Sequence, residues 1–193
     1  MKAAQLTSHG NPGRFTLTNL PDPSPAPDEV LIDVRACGVN RLDLWAEEGG
    51  LPIKLGLPRV LGSEIAGTIS KLGDDVDDWL VGARVAVQSN LFCGRCEFCL
   101  RGDESICIHG QLLGVDRDGG FAEKVAVPAR ALVPMPDTID FTTSAALSLA
   151  GSTAMHMLTN RTDVQPANGC SSWAEPAASG LTPPKSPVNW ALE

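Results

Sequence analysis

The segment Cys-Gly-Arg-Cys-Glu-Phe-Cys-Leu-Arg-Gly-Asp-Glu-Ser-Ile-Cys, residues 93–107, contains four cysteines. Two residues separate each of the first three cysteines, and seven separate the third from the fourth. Thiolates with this spacing can converge on one metal ion, and four sulfur ligands fill a tetrahedral shell without an open position. The segment therefore predicts a structural zinc site, with the ligands Cys93, Cys96, Cys99 and Cys107.

Three other uses of these cysteines compete with zinc. Free buried thiols are disfavoured because charged residues such as Arg95 and Glu97 alternate with them. Disulfides are disfavoured by the reducing compartment expected below. An iron–sulfur cluster fits the first three cysteines, but Cys107 comes too late and no proline follows it. Of the two remaining cysteines, Cys37 is expected to be a small core residue, and Cys170 lies far away in sequence.

Composition and charge narrow the class of protein. The 193 residues are 43% hydrophobic and carry a net charge of −8, which argues against a nucleic acid or an anionic membrane as partner. No segment reaches the roughly 20 apolar residues of a membrane-spanning helix. The N-terminus lacks the apolar core of a secretory signal. We therefore expect a cytoplasmic protein, a location that favours metal ligation over disulfides.

Outside the cysteine segment, most of the chain up to about residue 135 has strand character. Val30, Ile32 and Val34 alternate with Leu31, Asp33 and Arg35, which is the period of a half-buried strand. Shorter versions of the pattern occur at Phe15 and Leu17, Val85 and Val87, and Val125 and Val127. The proline-rich residues 21–27 predict an extended loop. Many short strands with little helix indicate a mainly β barrel or sandwich.

The pattern changes after Pro136. Asp140 or Thr142 is suited to cap a helix that begins near Ser144, and residues 145–158 are rich in Ala, Leu and Met, with Gly151 as a break. We expect this helix to expose an apolar face and to promote self-association.

Several motifs resemble those of the zinc-type medium-chain dehydrogenase/reductase family, which includes alcohol dehydrogenases and quinone oxidoreductases. In addition to the cysteine segment, they are Ala36–Asp43, Pro58–Gly67, Gly82–Val87, Gly119–Glu123 and Gly151–Ala154. The resemblance covers about residues 1–165. It implies a GroES-like, partly open β-barrel as catalytic or substrate domain over 1–140, with a zinc lobe at 90–110. Residues 141–165 would then be the helical start of a truncated nucleotide-binding domain.

The departures from the family pattern point to a subgroup. Zinc alcohol dehydrogenases hold a catalytic zinc with a Cys, a His and a further Cys, and the corresponding positions here carry Asn40, Ser63 and Ala150. An amide, a hydroxyl and a methyl group cannot replace those ligands. The resemblance therefore implies the quinone oxidoreductase branch, in which NADPH reduces a carbonyl, quinone or enone substrate without metal. Asn40, Ser63 and Glu64 are the expected pocket residues.

Other residues receive simpler interpretations. Asp43 either faces the active site or is a solvated residue on a helix surface, and solvation is the favoured interpretation. Trp45 either lines a substrate cleft or is a core residue, and the core role is favoured. Asn40 and Glu64 form an alternative polar pair. The single histidines, His109 and His156, are expected to be structural or exposed. Thr153 would contact the cofactor only in an intact parent protein.

Hydride transfer requires a strand, a glycine-rich turn and a helix for the dinucleotide, and no G-x-G-x-x-G follows Val164. We therefore expect the chain to be inactive alone. Two alternatives remain open: a zinc-containing alcohol dehydrogenase, which needs a second zinc, and a non-catalytic, zinc-stabilised protein-binding module.

Residues 166–193 predict an irregular tail because they have no periodicity. We interpret this tail as translated out of frame. In the shifted frame, the codons of Trp173–Ala174 and of Trp190–Ala191 both specify glycine, and those of Asn189–Trp190 specify leucine. Permitted codons elsewhere yield a strand, a glycine-rich turn and a helix. The final Leu192–Glu193 is compatible with a cloning remnant.

Overall fold

The computed structural model describes residues 1–160, and the predicted tail and Cys170 lie outside them. The strands of the described part are β1 Lys2–Ser8, β2 Arg14–Asn19, β3 Glu29–Gly38, β4 Arg59–Val60, β5 Glu64–Leu72, β6 Arg84–Val87, β7 Asn90–Leu91, β8 Gln111–Leu112, β9 Lys124–Pro128 and β10 Leu132–Pro134. The α-helices are α1 Arg41–Glu48, α2 Glu97–Leu100, α3 Phe141–Ala146 and α4 Ser152–Asn160. Shorter turns are the 3₁₀ turns Glu104–Ile106 and Ala129–Ala131 and the π-helical turn Leu147–Gly151.

The strands form three open antiparallel sheets. The largest has the order β10-β6-β5-β3-β9, a second has the order β2-β1-β4, and β7 pairs with β8. The small sheet is joined to the segment that precedes β9 of the large sheet, since the Ala4 N–H of β1 donates to the Phe121 carbonyl at 2.8 Å. The expectation of a mainly β and incompletely closed domain is therefore confirmed.

The alternation in β3 predicts its location correctly but not its full burial. Val30 and Ile32 are fully buried in the main core, together with Val85, Val87 and Val127. Leu31 is buried as well, so this interior strand is shielded on both faces at that position. By contrast, β2 is an edge strand, and its Phe15 and Leu17 are exposed.

Helix α1 was indicated in the sequence only by the interpretation of Asp43 as a helix residue, and its bounds were not predicted. It begins after Asn40 and ends at Gly49, whose φ of 81° lies in the left-handed region that favours glycine. Its inner face carries Ala46, which packs with Leu6 and Leu61 in a second core. This helix therefore lies over the small sheet and places Asn40 beside strand β5.

The predicted C-terminal helix is present, but it begins earlier and contains a bulge. Asp140 is its N-cap, as predicted, and its side chain accepts from the Thr143 N–H at 2.9 Å. Ala145 packs against Ala66 of the main sheet and Met135. At Leu147–Gly151, where Gly151 predicted a break, the helix takes the wider π-helical pattern.

Beyond this turn the helix leaves the sheet. Leu147 and Met155 are more than half exposed, which agrees with the predicted apolar face. Within residues 1–160, no helix combines the length and the apolar character needed to cross a membrane.

Candidate metal centre and adjoining pocket

The four-cysteine segment forms a lobe that projects from the main sheet. Strands β7 and β8 pair at its base, and α2 and the 3₁₀ turn Glu104–Ile106 form its tip. Arg130 fastens the lobe, since its guanidinium donates to the Phe92 carbonyl and pairs with Asp28.

The four Sγ atoms converge as the spacing predicts. All of them lie within 4.8 Å of one another. The Sγ–Sγ distances are 3.4 Å for Cys96–Cys99, 3.9 Å for Cys96–Cys107 and 4.0 Å for Cys93–Cys99. A Zn–S bond of about 2.3 Å gives a tetrahedron with edges of about 3.8 Å, so these distances suit a zinc ion. They exclude disulfides in this arrangement, which need S–S distances of about 2.0 Å.

Backbone donors prepare the cluster for negative charge. The pKa of the Cys96 thiol is lowered to about 6, chiefly because the Cys99 N–H donates to its sulfur. The pKa of Cys93 is also lowered, above all by the Arg95 N–H. Desolvation raises the pKa of Cys99 to about 12, so this thiol loses its proton at neutral pH only if a cation compensates the charge.

A second polar cluster lies where α1 meets β5, and Asp43 is at its centre. The Asp43 carboxylate accepts from the Asn40 N–H at 2.8 Å and from the Gly62 N–H at 3.1 Å. The interpretation of Asp43 as solvated is wrong, because its exposed fraction is only 6%. Burial raises its pKa, although the two N–H donors oppose this shift.

The other predicted pocket residues lie around this carboxylate. Ser63 is fully buried, and its hydroxyl donates to the Leu113 carbonyl at 2.8 Å. Glu64 is also buried, and its Oε1 accepts from the Ala150 N–H at 2.8 Å. Asp43 thus links Asn40 to the Gly62–Glu64 segment, and Glu64 links that segment to Ala150. The structure therefore brings into one region Asn40, Ser63 and Ala150, the three positions that the resemblance matches to metal ligands.

Asn40 itself has an unused donor. Its Nδ2 atom is buried without a hydrogen-bond partner, so the alternative of an Asn40–Glu64 pair is wrong. Leaving a buried donor unpaired costs free energy, which an acceptor on a bound molecule would recover.

The donor set of this pocket does not suit a zinc ion. Among the described residues, the four cysteines of the lobe are the one group of three or more Cys, His, Asp or Glu side chains whose ligand atoms converge closely. Cys37 is near the pocket, but desolvation and the charges of Asp43 and Glu64 raise the pKa of its thiol to about 12.

The remaining predicted residues have smaller roles here. Trp45 is 48% exposed, so its interpretation as a core residue is wrong. His109, His156 and Thr153 are exposed. The hydrogen bonds of Asp43 were not predicted, although its position three residues after Asn40 is the capping-box spacing that could have indicated the bond to the Asn40 N–H.

Open antiparallel sheets, a four-cysteine lobe with the geometry of a metal site and a buried polar pocket define a domain of the GroES-like class. The sequence model of one protein family, the alcohol dehydrogenase GroES-like domain, matches residues 26–137 of this chain. The chain therefore belongs to this family, within the zinc-type medium-chain dehydrogenases.

Individual relatives agree with this assignment. An alcohol dehydrogenase from Schizosaccharomyces pombe is 34% identical over 81% of this chain and 45% of its own length. The crystal structure of an NAD-dependent alcohol dehydrogenase has a TM-score of 0.83 at 36% identity, over 86% of this chain and 49% of that chain. A structure named as a zinc-binding dehydrogenase from Sinorhizobium meliloti 1021, bound to NADP, has a TM-score of 0.67 at 36% identity, over 75% and 41%. The chain spans less than half the length of each of these relatives.

Proposed function

We propose that this chain supplies the substrate domain of an NADPH-dependent oxidoreductase of the quinone or enone reductase type, with zinc only in the cysteine lobe. Residues 1–140 would form this substrate domain, and residues 141–165 would lead towards the part of the protein that binds the dinucleotide. The observation that carries the proposal is the pocket itself, where Asn40, Ser63 and Ala150 replace three metal ligands.

The zinc ion would be held by Cys93, Cys96, Cys99 and Cys107. Support comes from the Sγ–Sγ distances of 3.4–4.0 Å and from the backbone N–H groups that face the sulfurs. Four thiolates complete the coordination shell, so this ion would stabilise the lobe and leave the reaction to the pocket.

In the pocket, Asn40 would orient the substrate. Its unpaired Nδ2 would donate to the carbonyl oxygen of a quinone or enone, where negative charge develops as hydride is added. NADPH, when bound, supplies the hydride. Asp43 would fix Asn40 through the Asn40 N–H, and the buried surroundings would strengthen the hydrogen bond by excluding water.

A zinc-containing alcohol dehydrogenase is the second candidate, because two of the relatives described above carry that name. It requires a second zinc ion in the pocket, for which Asn40, Ser63 and Ala150 offer no thiolate or imidazole. A non-catalytic protein-binding module is the third possibility, but no feature of residues 1–160 favours it specifically.

Metal counting and a ligand titration test the proposal together. We expect one zinc per chain by elemental analysis, and none in the pocket after addition of excess zinc. Titration with tetramethyl-1,4-benzoquinone should shift the side-chain amide signal of Asn40 in nitrogen-edited NMR spectra. The side-chain amide of Asn11, which donates to Glu48 on the surface, serves as a control in the same spectra.

Two results would overturn this proposal. A second zinc ion whose binding shifts the signals of Ser63 and Ala150 would favour the alcohol dehydrogenase. If the quinone shifts the side-chain amide signals of Asn40 and Asn11 equally, or shifts neither signal, Asn40 does not bind the substrate.

A further inference from the structure

The π-helical turn Leu147–Gly151 joins a packed helix to an exposed one. The Ser152 N–H donates to the Leu147 carbonyl, five residues back, which is the π-helical pattern. The Ala150 N–H donates to an acceptor outside the helix, Glu64 Oε1 of strand β5, at 2.8 Å. An acidic side chain from the sheet thus provides the partner for an amide of the turn.

Glu64 is held in place for this contact. Its exposed fraction is 4%, and it pairs across the sheet with Gly38 of β3. A side chain at Gly38 would overlap Glu64 Oε2, so the absent Cβ leaves room for the carboxylate. The carboxylate therefore lies between the sheet and the helix, with one oxygen directed to each.

Two serine hydroxyl groups donate hydrogen bonds to backbone carbonyl oxygens in and next to the same turn. Ser148 Oγ donates to the Ala145 carbonyl at 2.8 Å, and Ser152 Oγ donates to the carbonyls of Ser148 and Leu149 at 2.9 and 3.0 Å. Hydroxyls that bond to carbonyls within a helix commonly accompany bends. The turn is thus stabilised on both its donor and its acceptor side.

The turn also marks a change in packing. On its N-terminal side, Ala145 is buried against Ala66 and Met135. On its C-terminal side, Met155 is 61% exposed. The contact with Glu64 therefore lies between a buried and an exposed part of the helical segment.

We infer that Glu64 is a positioning residue: its carboxylate holds the π-helical turn and so sets the direction of α4. Without this acceptor, the Ala150 N–H would turn to the Ala146 carbonyl, four residues back, and the turn would become α-helical. A π-helical turn contains one residue more than an α-helical turn. The change to α-helical hydrogen bonding would therefore rotate α4 by about 100° about its axis, relative to the preceding helix. In the proposed oxidoreductase, Glu64 would thereby couple the pocket to the chain that leads to the cofactor. Only this last consequence depends on the proposed function.

Residual dipolar couplings of backbone amides test the inference in the chain as it exists. In the wild type, the couplings of α4 should fit the bulged geometry. Glu64→Met keeps the length of the side chain but removes the acceptor, and it should change the fitted α4 orientation by tens of degrees. It should also move the Ala150 amide proton signal upfield. Glu64→Gln keeps an acceptor oxygen and should restore most of both signals.

Ser63→Ala is the matched control, because it removes a neighbouring buried hydrogen bond that does not involve the helix. It should leave the α4 couplings unchanged. If Glu64→Met does not fold, Ser152→Ala, at an exposed position, should shift the couplings in the same direction. Unchanged α4 couplings in a folded Glu64→Met protein, or in Ser152→Ala if that protein is used instead, would overturn the inference. These measurements need no nucleotide, substrate or turnover, so their failure is separate from failure of the proposed function.

Discussion

At the scale of single residues, the four cysteines of the lobe and the two buried carboxylates have different roles. The four cysteines of the lobe are close in sequence, and their sulfur atoms converge within 4.8 Å of one another. Asp43 and Glu64 are buried carboxylates, and each accepts one backbone N–H group from a distant part of the chain: that of Gly62 for Asp43 and that of Ala150 for Glu64. Such carboxylates fix backbone segments relative to one another, because an unpaired buried charge is costly.

Replacing one lobe cysteine should release the metal. We expect Cys96→Ser to weaken zinc retention by more than about 100-fold against a chelator, because losing a sulfur that binds the ion directly should cost at least as much as losing a group that only orients a ligand. Elemental analysis and chelator competition measure this effect. Cys37→Ala is the control, since this thiol lies outside the cluster. Equal zinc loss in both variants would contradict the assignment.

Asp43 should give a specific pH dependence. Its folded-state pKa is raised above 3.8 because burial penalises the charged form. The folded state therefore binds this proton more tightly than the unfolded state does, and stability attributable to Asp43 falls as pH rises from 3.8 through the folded pKa.

We accordingly expect the difference in free energy of unfolding between wild type and Asp43→Asn to move in favour of the wild type as pH is lowered through that window. Carboxyl carbon NMR should give the pKa of Asp43 directly. A value at or below 3.8 would contradict the prediction.

At the scale of elements, helix α3 depends on a local cap. Asp140 accepts from the Thr143 N–H and from the Thr143 hydroxyl, both at 2.9 Å. Without this side chain, the Thr143 N–H in the first turn of the helix loses its acceptor. Asp140→Ala should therefore lower the Tm by about 2–4 °C.

Asp137→Ala is the matched control for the cap. Asp137 is almost fully exposed and pairs only with Arg84 at 3.2 Å, so its loss should change the Tm little. Thermal unfolding followed by circular dichroism compares the two variants. A decrease in Tm for Asp140→Ala that is no larger than the decrease for Asp137→Ala would contradict the role of the cap.

At the scale of the whole molecule, the exposed apolar side chains at the C-terminal helical segment should matter most. Leu147 and Met155 are 52% and 61% exposed. Large exposed apolar groups on one element favour association. We therefore expect concentration-dependent self-association, measured by sedimentation velocity.

Met155→Lys should reduce this association at least about tenfold, since it places a charge in the contact. Leu80→Lys, at a position that is 77% exposed in a loop after β5, provides the control and should have little effect. A wild-type chain that remains monomeric at high concentration would contradict this prediction.

Sequence alone determined the features that depend on short-range spacing. The four cysteines lie within one segment, so their separations limit how far apart the sulfurs can be, and the structure places them within 4.8 Å. The alternation at Val30 and Ile32 and the capping residue Asp140 also act over a few residues. These features predict correctly a mainly β domain with a cysteine lobe and a C-terminal helix.

Only the tertiary structure decided how the pocket is arranged. Asp43 and Gly62 are 19 residues apart, and Glu64 and Ala150 are 86 residues apart. Composition and periodicity give no information on such pairs, because each contact depends on how α1 and the C-terminal helix pack on the sheets. The same packing buried Asp43 and left Trp45 exposed, although both lie on one short helix and sequence spacing does not say which of its faces meets the core.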